Sequence, residues 1–280
     1  DNEAQNFVGS TEVDWVAMEA GDWTIEDGGS GSRVIAGTAE NVAEVIRDPY
    51  DTTGGGSSNG TLVDFVPDFS PTETPAVVLT VSTDNDTTWV ATHVDDGTDI
   101  LNEVPNDEMR VYLAKSRATD EIHDPEDIDY IVWEEVDGTN SGVSFEAFNS
   151  ANNFDENNDR FQAYQTPFTS TPEITILYNN ANNGRQGGFA ARDTGSLHDN
   201  TQLNPIIFED GPTADDHTEE VVSIIAFEDS SGTIVREDGT GSLAGSMTSE
   251  TINFTDGAGP KFESFSWNDS TPGTSTITYQ

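Results

Sequence analysis

Short apolar runs, broken by Gly, Pro, Asn and Asp, recur along the chain in an order that is used twice. The first series is Leu62 to Phe65, Val77 to Val81, Trp89 to His93, Met109 to Ala114 and Ile128 to Glu134. The second is Phe161 to Tyr164, Ile174 to Tyr178, Gly188 to Arg192, Pro205 to Phe208 and Val222 to Glu228. Runs of this length with turn residues between them predict strands, and their regular spacing predicts antiparallel sandwiches rather than a parallel α/β sheet. Ile128-Asp-Tyr-Ile-Val-Trp-Glu134 lies over Val222-Ser-Ile-Ile-Ala-Phe-Glu228 without a gap, and Val13-Asp-Trp-Val-Ala-Met-Glu19 is a third copy. Such a pattern suits a closing strand buried on both faces.

The position of that third copy shapes the expected architecture. Val13 has only a polar lead before it, so its strand has no preceding sheet to close. At the other end a further unit opens with Phe254, Pro260, Phe262 and Phe265 and continues through Ile277 and Tyr279, without a closing strand after it. The expected fold is all-β: tandem antiparallel β-sandwich modules with a split third module completed by strand complementation. Residues 1–23 form an N-terminal donor strand (Val13, Trp15, Val16, Ala17, Met18), 24–137 module 1, 138–235 module 2, and 236–280 an incomplete acceptor module. Between the Gly-rich loops at Gly28 and Gly54, Ala39 to Arg47 is compatible with a short helix, and Val42 to Ile46 equally with a strand. Two modules placed end to end would set the halves of the split unit on the order of 60 Å apart. Donation to a neighbouring chain is then expected over self-closure, giving a head-to-tail homopolymer. The simpler alternative is a C-terminal hairpin docked on module 2, with Val13 to Glu19 an edge strand of module 1.

Charge narrows the setting. With 53 acidic residues against 10 basic, the formal net charge is −43. Such a surface repels nucleic acid and anionic membrane. It fits a folded protein of strongly saline surroundings, whose carboxylates are screened by cations. There is no cysteine, so neither disulfides nor thiolate chemistry enter. No run is long and apolar enough for a membrane helix, and no signal peptide is present. The missing initiator Met suggests removal of a leader or larger precursor. Sequons at Asn59, Asn85, Asn253 and Asn268 lie in polar or turn-rich contexts and are N-glycosylation candidates of a secreted protein.

Candidate chemistry is sparse. His123 and His217 stand just before the closing strands, with Glu126 and Glu220 three residues on. Because no nucleophile repeats with them, loop fixation is the expected role rather than acid/base or metal chemistry. Asp155, Asn157 and Asp159 offer alternating oxygen donors to Ca2+ or another surface cation. Asn158 nevertheless stands where a calcium loop needs Gly, and Tyr164 where it needs Glu. No required cofactor, phosphate loop or nucleophile elbow is evident, and an enzyme is not expected.

The repeats resemble H-type lectin-like modules of invertebrate agglutinins, microbial surface proteins and viral fibres. The resemblance rests on Phe69, Pro75 and Val77 with Phe168, Pro172 and Ile174, on Arg192 closing a middle strand (His93 in the first copy), and on His123, Glu126, Glu134 with His217, Glu220, Glu228. It implies six-stranded sandwiches, often trimeric, some of which bind amino sugars. The function expected is that of an extracellular structural or adhesive protein of a halophile or its virus, assembled into a pilus-like fibre by donor-strand complementation. A lectin-like glycan- or receptor-binding protein on a cell or virion surface is the alternative.

Overall fold

A computed structural model describes residues 14, 16–29, 31–43, 60–70, 74–83, 85, 90–95, 104–115, 124–150, 154–155, 160–180, 188–192, 198–209 and 219–229. In this part the chain is all-β, with β1 (Gly21–Ile25), β2 (Ser32–Val42), β3 (Thr61–Asp64), β4 (Ala76–Val81), β5 (Val90–Asp95), β6 (Glu108–Lys115), β7 (Glu126–Trp133) and β8 (Val136–Asn140). There follow β9 (Val143–Asn149), β10 (Gln162–Ala163), β11 (Ile174–Asn179), β12 (Gly188–Arg192), β13 (Gln202–Leu203), β14 (Pro205–Glu209) and β15 (Val222–Phe227). All ladders are antiparallel. Ala39 to Val42, where a short helix was one expectation, completes β2 across a bulge against β7.

One strand order occurs twice. The first four-stranded sheet runs β1-β2-β7-β4, and the second runs β8-β9-β15-β11, so each begins with an edge hairpin and places its closing strand third. Outside the first lies the sheet β3-β6-β5, and outside the second lie the pairs β10-β13 and β12-β14. Small contacts repeat with the order. The Phe65 and Tyr164 amides donate to Asp107 and Thr201 carbonyls, and the Asn106 and Asn200 side chains donate to the Phe69 and Phe168 carbonyls. Phe65 meets Phe69 edge-on at 5.2 Å, as Tyr164 meets Phe168 at 4.8 Å. Glu134 and Glu228, the carboxylates ending the two closing strands, donate their amides to Arg33 and Ser144.

The period-two alternation of each closing strand divides its side chains between two cores. On β7, Ile128 and Val132 enter a first core with Phe65, Val77, Met109 and Leu113, whereas Trp133 turns the other way. On β15, Val222, Ile224 and Ala226 join Phe154, Tyr164 and Leu203, whereas Ile225 and Phe227 point back toward Trp133. The core between the two four-stranded sheets holds Ile25, Val34, Trp133, Phe145, Ile174, Ile225 and Phe227. Rings of Trp133 and Phe145 lie 5.5 Å apart, and those of Trp133 and Phe227 6.1 Å. The sheets therefore stack in four layers. Full burial of each large aliphatic or aromatic side chain stabilises this stack by about 1.5–3 kcal/mol.

That stacking corrects the end-to-end arrangement expected from sequence. The closing strand is covered on both faces because each four-stranded sheet is an inner layer, and an exposed second face bearing Trp133, Phe145 and Phe227 would be a large apolar patch. The expected boundaries after residues 23 and 137 fall within β1 and β8.

Candidate functional site

The sequence singled out terminal strand exchange, so the edges of the inner sheets are the first place to look. An open edge exposes unpaired N–H and C=O groups. β4 is an edge of the first inner sheet, and its outward groups are met by side chains of the second. Val77 N–H donates to Ser223 Oγ at 2.9 Å. Asn149 Nδ2 donates to the Thr74 and Pro75 carbonyls at 2.9 and 3.1 Å, and Asn180 Nδ2 to Asn149 Oδ1 at 2.9 Å. Ser223 Oγ in turn donates to Asn149 Oδ1 at 2.7 Å. Nearby, the Tyr178 hydroxyl donates to the Thr92 carbonyl at 2.8 Å, and burial pushes this phenol well above its ordinary range. These polar groups meet the β4 edge at Val77 and the chain leading into it at Thr74 and Pro75.

The β11 edge is met by the N-terminal lead. Thr175 N–H donates to Asp14 Oδ2 at 3.0 Å, while half-buried Val16 and Met18 pack against the core between the inner sheets. Residues 16–19 form no strand, and Ala17 is part-buried within this segment. Trp23 Nε1 donates to the Glu19 carbonyl at 3.0 Å, turning the lead into β1. The remaining donor residues, Val13 and Trp15, lie outside the described residues. So do the acceptor positions Phe254, Pro260, Phe262, Phe265, Ile277 and Tyr279, the sequons Asn59, Asn253 and Asn268, and His123, His217, Asn157 and Asp159.

Of the expected chemical residues that are described, most serve the backbone. Glu126, buried beside the start of β7, accepts from the Thr83 hydroxyl at 2.5 Å and from the Asn85 amide at 3.0 Å. Asn85 is exposed and its side-chain amide donates to the Pro125 carbonyl at 2.8 Å. Asp155 contributes its carbonyl to Ile207 N–H at 3.3 Å. Among the described residues no group of His, Cys, Asp and Glu is arranged to hold a metal ion, and no helix is long and apolar enough to cross a membrane.

A second polar cluster sits at the edge of the outer core of the second half. Arg192 Nη1 lies 2.7 Å from His198 Nδ1, and Tyr164 Oη lies 2.9 Å from His198 Nε2. Guanidinium can only donate, so Nδ1 accepts and the neutral ring carries its proton on Nε2, toward Tyr164. Burial, helped by the Arg192 charge, lowers the His198 pKa to about 4. The Thr201 hydroxyl and amide hold the exposed Asp199 carboxyl below its ordinary range. By ladder register Arg192 stands opposite Pro205 and His93 opposite Tyr112. His93 is buried and stacks on Tyr112 at 5.5 Å. Because the Asn106 and Asn200 contacts match Pro205 to Val111, whose ladder partner is Val94, the register sets Arg192 against Val94 and not against His93 as the sequence match had it.

A groove of about 430 Å³ runs beside β8, lined by Asp27, Asp137, Phe145, Glu146, Thr166 and Phe168. Its carboxylates are engaged: Asp27 with the Gly29 and Gly31 amides, Asp137 with the Thr166 hydroxyl, and Glu146 with the Gln165 and Thr166 amides. They are fasteners of loops.

The strand-edge polar set was not visible in sequence, because Asn149 and Asn180 look like turn residues and Ser223 like the polar position of an alternating strand. Only its match to Asp14 and Asp129 in the other copies marks Ser223. No protein-family model, curated protein or solved structure matches this chain.

Proposed function

We propose that this protein is a structural subunit of an extracellular assembly in saline surroundings, built of two tandem sandwich modules fused back to back and joined head to tail by donation of the Val13 to Glu19 strand. One observation carries the reading: a segment with the sequence of the two closing strands takes no strand conformation over residues 16–19 and lies against the core between the inner sheets through Val16 and Met18. Strand donation gives such a segment main-chain partners and alternate side-chain pockets in a neighbour. The acidic shell keeps the subunits soluble in salt. Electron microscopy of protein purified in high salt is expected to show fibres. A variant lacking residues 1–18 keeps β1 and both inner sheets, and is expected to unfold cooperatively yet remain monomeric. Fibres from that variant would overturn strand donation.

The Arg192, His198 and Tyr164 cluster favours a second reading as a glycan-binding surface protein. It places an exposed guanidinium beside a neutral, part-buried imidazole that the buried Tyr164 hydroxyl orients, where hydroxyl-rich ligands can be hydrogen-bonded by Arg192. Glycan-array binding lost in Arg192→Ala, with unfolding unchanged, is its test.

A further inference from the structure

We propose that the lead, described at Asp14 and over residues 16–19, is parked on its own subunit and that its release gates assembly. The inference rests on the strand-donation reading above and adds a regulatory contact to it. The parked segment is held at three points. Asp14 Oδ2 accepts the Thr175 amide at 3.0 Å, Val16 and Met18 cover part of the core between the inner sheets, and the Glu19 carbonyl accepts the Trp23 indole at 3.0 Å. A carboxylate on an edge amide is a charge-assisted bond, stronger than a neutral one. It ties the lead to the β11 edge, so the lead is not free to be donated while it is docked.

The lead joins β1 at Gly21, whose φ is +152° and where the Trp23 indole lies against the place a Cβ would take. From Gly21 onward β1 is held by β2, so release of the lead leaves that pairing in place. Release gives up the Asp14 bond, the Val16 and Met18 contacts and the Glu19 bond to the Trp23 indole, and donation would regain main-chain pairing along the strand.

The sequence supplies its own test variant. Ser223 occupies in β15 the position that Asp14 occupies in the lead, so Asp14→Ser removes the carboxylate and keeps the closing-strand pattern. Assembly followed by light scattering is expected to begin on the order of tenfold sooner in Asp14→Ser, the equivalent of losing one such hydrogen bond. Thr175→Pro, which deletes the edge amide and leaves the donor untouched, should act in the same direction. In parallel, hydrogen exchange of unassembled wild-type subunits is expected to show a protected Thr175 amide whose protection falls in Asp14→Ser. Unchanged or slower onset in both variants, or an unprotected Thr175 amide, would overturn the gate and leave strand donation standing. Wild-type protein that stays monomeric at every salt concentration would overturn strand donation and the gate together.

Discussion

Val77 and Ser223, 146 residues apart in sequence, join the two inner sheets: the Val77 amide donates to the Ser223 hydroxyl at 2.9 Å in a buried site. The Ser223 hydroxyl in turn donates a hydrogen bond to Asn149 Oδ1 at 2.7 Å. At Val77 the edge of β4 is thereby satisfied by a side chain of the other inner sheet. Polar residues inside an apolar interface are tolerated because each meets a backbone group that would otherwise be unpaired.

Ser223→Ala should therefore cost more than its lost hydroxyl. It strands the Val77 N–H away from water and removes a donor from Asn149, with an expected loss of about 1–3 kcal/mol. Denaturant unfolding at fixed salt measures this. Thr24→Ala, on an exposed β1 position, is the control and should change stability by less than about 0.5 kcal/mol.

Glu146 offers a second separation of effects. Burial raises its pKa, the Thr166 and Gln165 amides at 2.6 and 2.9 Å pull it down, and Asp137 adds to the rise. Glu146→Ala leaves two amides without an acceptor and is expected to lose about 1–3 kcal/mol. Glu146→Gln retains one acceptor, removes the buried charge, and should lose less. With the folded pKa above 4.5, the folded state holds the proton longer, so this group makes stability fall as pH rises just above 4.5. Glu146→Gln should abolish that slope in pH-dependent unfolding.

How much of this was legible in sequence follows from which interactions are local. β4, β11 and β15 were visible because apolar side chains such as Val77, Ile174 and Ile225 mark them directly. β1, β2, β8 and β9 were not: Gly37 in β2 and Gly138 in β8 interrupt the apolar alternation that would mark a strand. In the fold they are close-approach sites, where a Cβ would meet the Tyr130 ring and the Asp27 backbone respectively. The match of Ile128 to Glu134 with Val222 to Glu228 revealed burial on both faces, but not its cause. Whether a second covering layer comes from the same chain is a long-range fact, carried by contacts such as Trp133 with Phe227. The Arg192 cluster was half visible, since Arg192 stood out and His198 did not. Asp14 was noted only as a polar position within a strand, because nothing local distinguishes a strand position from an edge-capping carboxylate.

His198 gives a pH signature of opposite sign to Glu146. Burial and then the Arg192 charge depress its folded pKa to about 4 from 6.5. Between those values the unfolded chain binds the proton and the folded chain does not, so stability is full above 6.5 and is lost as pH falls toward 4. His198→Asn should flatten the unfolding midpoint across that window. Arg192→Ala should raise the His198 pKa part of the way toward 6.5, visible as a shifted imidazole titration by NMR. An unchanged titration would show that the guanidinium is not what keeps the ring neutral.

Salt is the broadest test of the acidic surface. A net charge of −43 places like charges across the whole surface. The ion pairs Arg33 with Asp22 and Arg160 with Glu219, at 2.8 and 2.6 Å, offset little of it, because exposed pairs contribute about 0–1 kcal/mol. Self-repulsion opposes the compact state, and screening relieves it as the Debye length falls from about 10 Å at 0.1 M to about 3 Å at 1 M. The unfolding temperature is therefore expected to rise steeply with KCl across that range. Sucrose at equal osmolality, which strengthens burial without screening, should raise it much less. Equal rises in the two would show that apolar burial and not charge limits stability, and a midpoint independent of KCl would remove the case for a saline habitat.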